Sequence, residues 1–128
     1  MAKIMVVDDD DVVRYSIASA LQLNGHETIE ADNGATALEM IKATFPKLII
    51  SDVEMANMNG FMLREFLQQD PLTARIPMII MSGVAYNAGA WESDPLLDYL
   101  AKPFSIEQLM SIVNKKLSKS ENDDEKQQ

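Results

Sequence analysis

Residues 47–51 read Lys47-Leu48-Ile49-Ile50-Ser51, and the acid Asp52 follows at once. Consecutive apolar residues, with no polar residue between them, suit a strand covered on both faces. That covering sets the fold class, because sheets buried on both sides are built from parallel strands joined by helical crossovers. Upstream, Lys3-Ile4-Met5-Val6-Val7 is a run of the same kind. The stretch from about Asp11 to Asn24 places Val13, Ile17 and Leu21 four residues apart, and Asn24-Gly25 supplies a helix stop. Glu27 to Ala31 is a shorter, more polar strand, suited to a sheet edge. The turn Asp32-Asn33-Gly34 then leads into a second helix with Leu38, Ile41 and Phe45 on one face.

Downstream the same rhythm continues. A third helix follows Gly60 with Leu63, Phe66 and Leu67 at i, i+3 and i+4. Pro77-Met78-Ile79-Ile80-Met81 predicts a fourth strand, and Asp98 to Ala101 a fifth. Ser105-Ile106-Glu107-Gln108 fits a capping box, and behind it Ile106, Leu109, Met110, Val113 and Leu117 hold one helical face. Five strand–helix alternations with short connections imply an α/β domain, a five-stranded parallel sheet with helices on both faces. Between Ser82 and Tyr99, Asn87, Gly89, Ser93 and Pro95 interrupt the pattern, so the fourth helix, within residues 83–97, is expected to be short or irregular. The expected domain spans residues 1–118, and residues 119–128 form an acidic, disordered tail.

Composition narrows the chemistry. A chain of 128 residues with 47% hydrophobic content and mean hydropathy −0.09 has the size and balance of one globular domain. Eleven Lys and Arg stand against 20 Asp and Glu, a net charge of −9. In the last eleven residues four acids face two lysines, so −7 belongs to the body. That sign argues against direct nucleic-acid binding and against an anionic membrane surface. The chain has no cysteine, which excludes thiolate chemistry, and a single histidine, His26. The apolar run after Met1 is too short for a signal peptide or a membrane span, so a soluble, cytoplasmic protein is expected. Chemistry must rest on carboxylates, hydroxyls and lysine.

In an open parallel sheet, ligands bind beyond the carboxyl ends of the strands. There the sequence places Asp8-Asp9 after strand one, Asp52 after strand three, Ser82 after strand four and Lys102 after strand five. Three carboxylates converging at one edge repel each other, and a hard divalent cation such as Mg²⁺ or Mn²⁺ compensates them with oxygen ligands. An open cation position beside a lysine and a hydroxyl suits a phosphoryl group. The nucleophile available there is a carboxylate, which would form an acyl phosphate. Composition alone does not say which carboxylate attacks.

The segments Val6-Val7-Asp8-Asp9, Ile49 to Met55 with Gly60, Ser82-Gly83 and Tyr99-Leu100-Ala101-Lys102-Pro103-Phe104, in that order, resemble a CheY-like receiver domain of two-component response regulators. The resemblance covers about residues 3 to 117 and implies a doubly wound, flavodoxin-like sheet of order 2-1-3-4-5. It implies that Asp52 is the phosphoacceptor, receiving a phosphoryl group from a sensor histidine kinase or phosphotransfer protein. It implies that Asp9 binds the metal directly, Asp8 largely through water, and Glu54 through its backbone carbonyl, with Asp52 completing the set. Ser82 would be the switch hydroxyl, Lys102 the cation pairing with the phosphoryl group, and Tyr99 the aromatic that reports the switch. The output would be a population shift read by a downstream protein, not a released product. Ala56 stands where the family usually has proline, and Glu54 and Val84 occupy its two variable positions beside the phosphoryl site.

Plainer roles are expected elsewhere. Asp10 and Asp11 suit the start of the first helix, and His26 a structural turn. The nine methionines are mostly core filler, with Met55 and Met58 near the site loop as candidates for exposure. Trp91 is either a packing plug or a docking residue. Two rival functions stay open. One is a Mg²⁺-dependent phosphohydrolase resembling the haloacid dehalogenase superfamily, with Asp8-Asp9-Asp10-Asp11-Val12 as its D-x-D-x-V motif. The other is an interaction module that kept the fold without phosphorylation.

Overall fold

The computed structural model describes residues 2–83 and 94–126, with side chains described as far as residue 118. Nine elements follow in order: β1 (Lys3–Val7), α1 (Asp11–Leu23), β2 (Glu27–Ala31), α2 (Gly34–Thr44), β3 (Leu48–Asp52), α3 (Gly60–Gln68), β4 (Met78–Ser82), β5 (Leu97–Ala101) and α4 (Ile106–Lys126). The strands form one parallel sheet in the order β2-β1-β3-β4-β5, as expected, with the polar β2 at an edge.

Side chains of a strand alternate between faces, so the unbroken apolar runs feed two cores. Met5, Val7, Ile49, Met78 and Ile80 pack with Ile41 of α2 and Leu63 and Leu67 of α3. Ile4, Val6, Leu48, Ile50, Ile79 and Met81 pack with Ile17 and Leu21 of α1 and Leu109 and Val113 of α4. β1, β3 and β4 are buried along almost their whole length for this reason.

Helix starts are fixed by side-chain caps. Asp10 accepts from the Val12 and Val13 amides, Asn33 from Thr36, and Asn59 from Met62. The capping box ahead of α4 forms reciprocally. The Ser105 amide donates to Gln108 Oε1 at 2.8 Å, and the Gln108 amide to Ser105 Oγ at 3.0 Å.

Several expectations shift. β3 and β4 each begin and end one residue later than the apolar runs, because the ladder continues through Asp52↔Met81 and Ser82↔Ala101. Phe45 does not extend the α2 face. It caps the helix in a left-handed conformation and is half exposed. Phe66 and Ile106 are also exposed, since α3 and α4 bury narrower stripes than their apolar spacing allows. Met55 is buried in the core beneath the site loop, and Met58 is partly buried against it. The backbone of α4 runs helically to Lys126, where a disordered tail is expected from 119. Once a helix is nucleated, each further residue adds a backbone hydrogen bond at little cost, which lets the polar residues after 118 continue it. The expected irregular helix and Trp91 fall largely or wholly outside the described residues. Among those described, no helix is long and apolar enough to cross a membrane.

Candidate functional site

The carboxyl ends of β1, β3, β4 and β5 meet at one rim. β1 is prolonged past Val7 by the Asp8 amide, which donates to the Ala31 carbonyl at 3.2 Å. Asp8 is fully buried, while Asp9 next to it faces solvent. Asp8 Oδ1 accepts from the Asp10 amide at 2.9 Å. The Arg14 guanidinium donates to the Asp8 carbonyl at 2.8 Å and pairs with Asp11 at 2.7 Å and Glu30 at 3.3 Å. Arg14 therefore ties the Asp8 backbone to α1 and β2. Nothing in the helical spacing marks it for that role, because its partner Glu30 is brought close only by the parallel β1–β2 pairing.

Asp52 closes β3 and is nearly buried. Its carbonyl accepts from Ser51 Oγ at 2.9 Å, and the next residue, Val53, both donates to Met81 and accepts from Gly60. A Cβ on Gly60 would stand 2.7 Å from the Asp52 carbonyl oxygen. Only glycine lets α3 begin this close to the strand end. Among the described residues, Asp8, Asp9 and Asp52 can each offer a carboxylate oxygen such that all three lie within 4.8 Å of one another. The Glu54 side chain is exposed and stands outside this group.

Lys102 supplies the opposing charge. Its backbone amide donates to the Ser82 carbonyl at 2.7 Å, and its Nζ reaches Asp52 Oδ1 at 3.2 Å and Asp8 Oδ2 at 3.5 Å. Ser82 is buried at the end of β4. Tyr99, half-buried on β5, directs its hydroxyl at the Ser82 carbonyl from 3.4 Å. The predicted residues are thus brought to one rim, with Glu54 adjoining through the loop after Asp52.

The electrostatics are unbalanced. Burial pushes the Asp8 carboxyl above the usual range and the Asp52 charge adds to it, against the opposing pull of the Asp10 amide and Lys102. Burial also pulls on the Lys102 ammonium, but Asp8 and Asp52 outweigh it and hold it above the ordinary lysine value. One lysine faces three carboxylates. Asp8 Oδ2 is moreover a buried oxygen without a hydrogen bond, its lysine standing at ion-pair distance only. A buried acceptor left open costs free energy unless a ligand completes it. The oxygen-only donor set and its excess negative charge fit a hard divalent cation.

The D-x-D-x-V reading finds a different use here, since the carboxylate of Asp10 caps α1.

The chain matches the response regulator receiver domain over residues 4–114. It is 30% identical over 116 residues to protein PilH of Pseudomonas aeruginosa, covering 89% of this chain and 96% of that protein. It is 33% identical over 123 residues to the chemotaxis protein CheY of Bacillus subtilis, covering 91% and 98%. The fold superposes on the high-resolution structure of the chemotaxis response regulator CheY4 of Vibrio cholerae with a TM-score of 0.83. That pair is 27% identical, covering 91% of this chain and 99% of the other. Longer relatives match over about a quarter of their own length. A doubly wound sheet with its acids gathered at one rim, matched along nearly the whole chain, places this protein in the receiver domain family of two-component response regulators.

Proposed function

We propose that the protein is a phosphorylation-dependent signalling switch whose phosphoacceptor is Asp52. The observation that carries this reading is the convergence of Asp8, Asp9, Asp52 and Lys102, with one buried carboxylate oxygen left unbonded. The donor is the phosphohistidine of a sensor histidine kinase or a phosphotransfer protein. A carboxylate oxygen of Asp52 attacks phosphorus, an O–P bond forms, and the P–N bond breaks with its electron pair returning to the imidazole.

Lys102, already 3.2 Å from Asp52 Oδ1, holds one carboxylate oxygen and neutralises charge on the arriving group. The Ser82 hydroxyl serves as the donor that follows the phosphoryl group, and Tyr99 responds through their shared contact at the Ser82 carbonyl. The side chains of Asp8, Asp9 and Asp52 and the backbone carbonyl of Glu54 would hold Mg²⁺. When bound, that cation supplies charge neutralisation for the phosphoryl oxygens. The protein assists the modification but is consumed by it, so it is a switch and not a turnover enzyme. Its output is a shifted balance between two surface states, read by protein–protein contact.

Incubation with a small acyl phosphate and Mg²⁺, followed by intact-mass measurement and peptide mapping, tests the reading. A single labile phosphoryl adduct on Asp52 is expected, absent in Asp52→Asn and in chelator. A chain that stays unmodified points to a phosphorylation-independent interaction module. Repeated turnover of a phosphomonoester, lost in Asp8→Asn and kept in Asp52→Asn, points to a hydrolase.

A further inference from the structure

At the rim opposite the acidic site, a single buried guanidinium binds the starts of two strands. Arg64 of α3 is 4% exposed. It donates to the Ile76 carbonyl at 3.2 Å, two residues before β4, and to both carboxylate oxygens of Asp94, three residues before β5. Asp94 is fully engaged, since Oδ1 also accepts from the Leu96 amide at 3.0 Å and Oδ2 is within 3.4 Å of Gln68. From the other face of the sheet, Lys116 of α4 donates to the Pro95 carbonyl at 3.1 Å and stands 3.6 Å from Asp98.

Burying a guanidinium and a carboxylate adds little net stability compared with apolar packing of the same size, so the geometry it enforces is the informative part. That geometry is register. Among the described residues β5 is an edge strand, paired with β4 alone, and most of it is only half-buried. Its apolar residues Leu97 and Leu100 are split between the two cores, so no single buried face fixes its register, and a slip of one residue turns every side chain to the opposite face. A slip would also carry the strand end along by about 3.3 Å. Lys102 immediately follows β5, and its reach to Asp52 depends on the pairing Ser82↔Ala101.

We propose that Arg64 is a positioning residue for Lys102, acting through Asp94 to fix the register of β5 against β4. This rests on the assignment of Asp52 and Lys102 given above. Asp8, Asp9 and Asp52 sit on or just beyond β1 and β3, which the clamp does not touch. Loss of the clamp therefore separates two properties that general destabilisation would lower together, Mg²⁺ binding and phosphoryl acceptance.

Arg64→Met and Asp94→Asn test it, the latter preserving an acceptor for the Leu96 amide. Three quantities are read in the full chain: hydrogen exchange of the Lys102 amide, Mg²⁺ affinity by calorimetry, and the rate of modification by acetyl phosphate. The expected result is faster Lys102 exchange, Mg²⁺ affinity equal to or tighter than the parent's, because a cation moves away from Asp8 and Asp52, and modification slowed roughly 10- to 100-fold, as for a misplaced catalytic group. Folded variants that exchange and react like the parent overturn the proposal. So does a parallel loss of Mg²⁺ affinity and rate. If Arg64→Met does not fold, Asp94→Asn decides. If the parent chain itself is not modified, the phosphoacceptor assignment fails, and Lys102 exchange alone decides whether Arg64 sets the register.

Discussion

Two carboxylates at opposite rims of the sheet show how the same group serves different ends. Asp94 is held on both oxygens by Arg64 and accepts from Leu96 as well. Asp8 is more deeply buried, yet one of its carboxylate oxygens has no hydrogen bond and the lysine beside it is shared with Asp52. A saturated, partly buried carboxylate is part of the structure. An open one, among like charges, costs the fold free energy and marks where a ligand belongs.

Removing each carboxylate should therefore move stability in opposite directions. The largest effect is expected for Asp94→Ala, which leaves the Arg64 guanidinium buried without its counter-charge. A loss of about 3 kcal/mol is expected, read from urea unfolding at neutral pH. A loss below the measurement error would mean that Arg64 finds water or another partner, and the contrast would weaken. Asp8→Asn should do the reverse in metal-free protein, raising stability on the order of 1 kcal/mol because a buried charge among carboxylates is removed. The same variant should lose the rise in melting temperature that Mg²⁺ gives the parent chain. Asp8→Asn that destabilises the metal-free chain would contradict the view of the rim as electrostatically strained.

The five strands and the identities of the rim residues were legible because both follow from local pattern, whereas the order 2-1-3-4-5 came with the family resemblance. Apolar runs locate strands, and an acid, a hydroxyl or a lysine just past each run lands at the rim by construction of a parallel sheet. The clamp was not legible. Arg64 follows Leu63 on an amphipathic helix and looks like a solvated cation, while Asp94 lies 30 residues away in a stretch with no clear periodicity. Its burial depends on the α3 face meeting the start of β5, which no local pattern encodes. Phe66 and Ile106 show the converse, apolar residues at helical spacing that the packing leaves outside. Strand ends were displaced by one residue for a related reason, since a ladder hydrogen bond continues into a polar residue as readily as an apolar one.

Other side chains support the rim without entering it, and their removal should have smaller effects. Asp10→Ala removes the cap of α1 without touching the open oxygen of Asp8, because the Asp10 contact to Asp8 is made by its backbone amide. A loss of about 1 kcal/mol is expected, with Mg²⁺ affinity retained. A loss of Mg²⁺ affinity as large as that of Asp8→Asn would place Asp10 in the site.

The smallest effect is a pH dependence at His26. Its Nδ1 accepts from the Ala2 amide at 3.2 Å, which requires a neutral ring, and burial together with the N-terminal charge lowers its pKa from the ordinary 6.5. The unfolded chain therefore takes up the proton first. Stability should fall as pH drops through the unfolded value towards the lower folded one. The urea midpoint of the parent should decline more between about pH 7.5 and pH 5.5 than that of His26→Asn. Equal declines would show that carboxylates elsewhere account for the whole slope.

Titrating Mg²⁺ into isotopically labelled protein and following the backbone amides by NMR tests directly whether Asp8, Asp9 and Asp52 act together on one hard cation. Saturable shifts concentrated at residues 8, 9, 52 and the loop after 52, lost in Asp8→Asn, are the predicted outcome. Shifts confined to Asp10, Asp11 and the acidic C-terminal residues, or none in the rim at saturating Mg²⁺, would contradict the account.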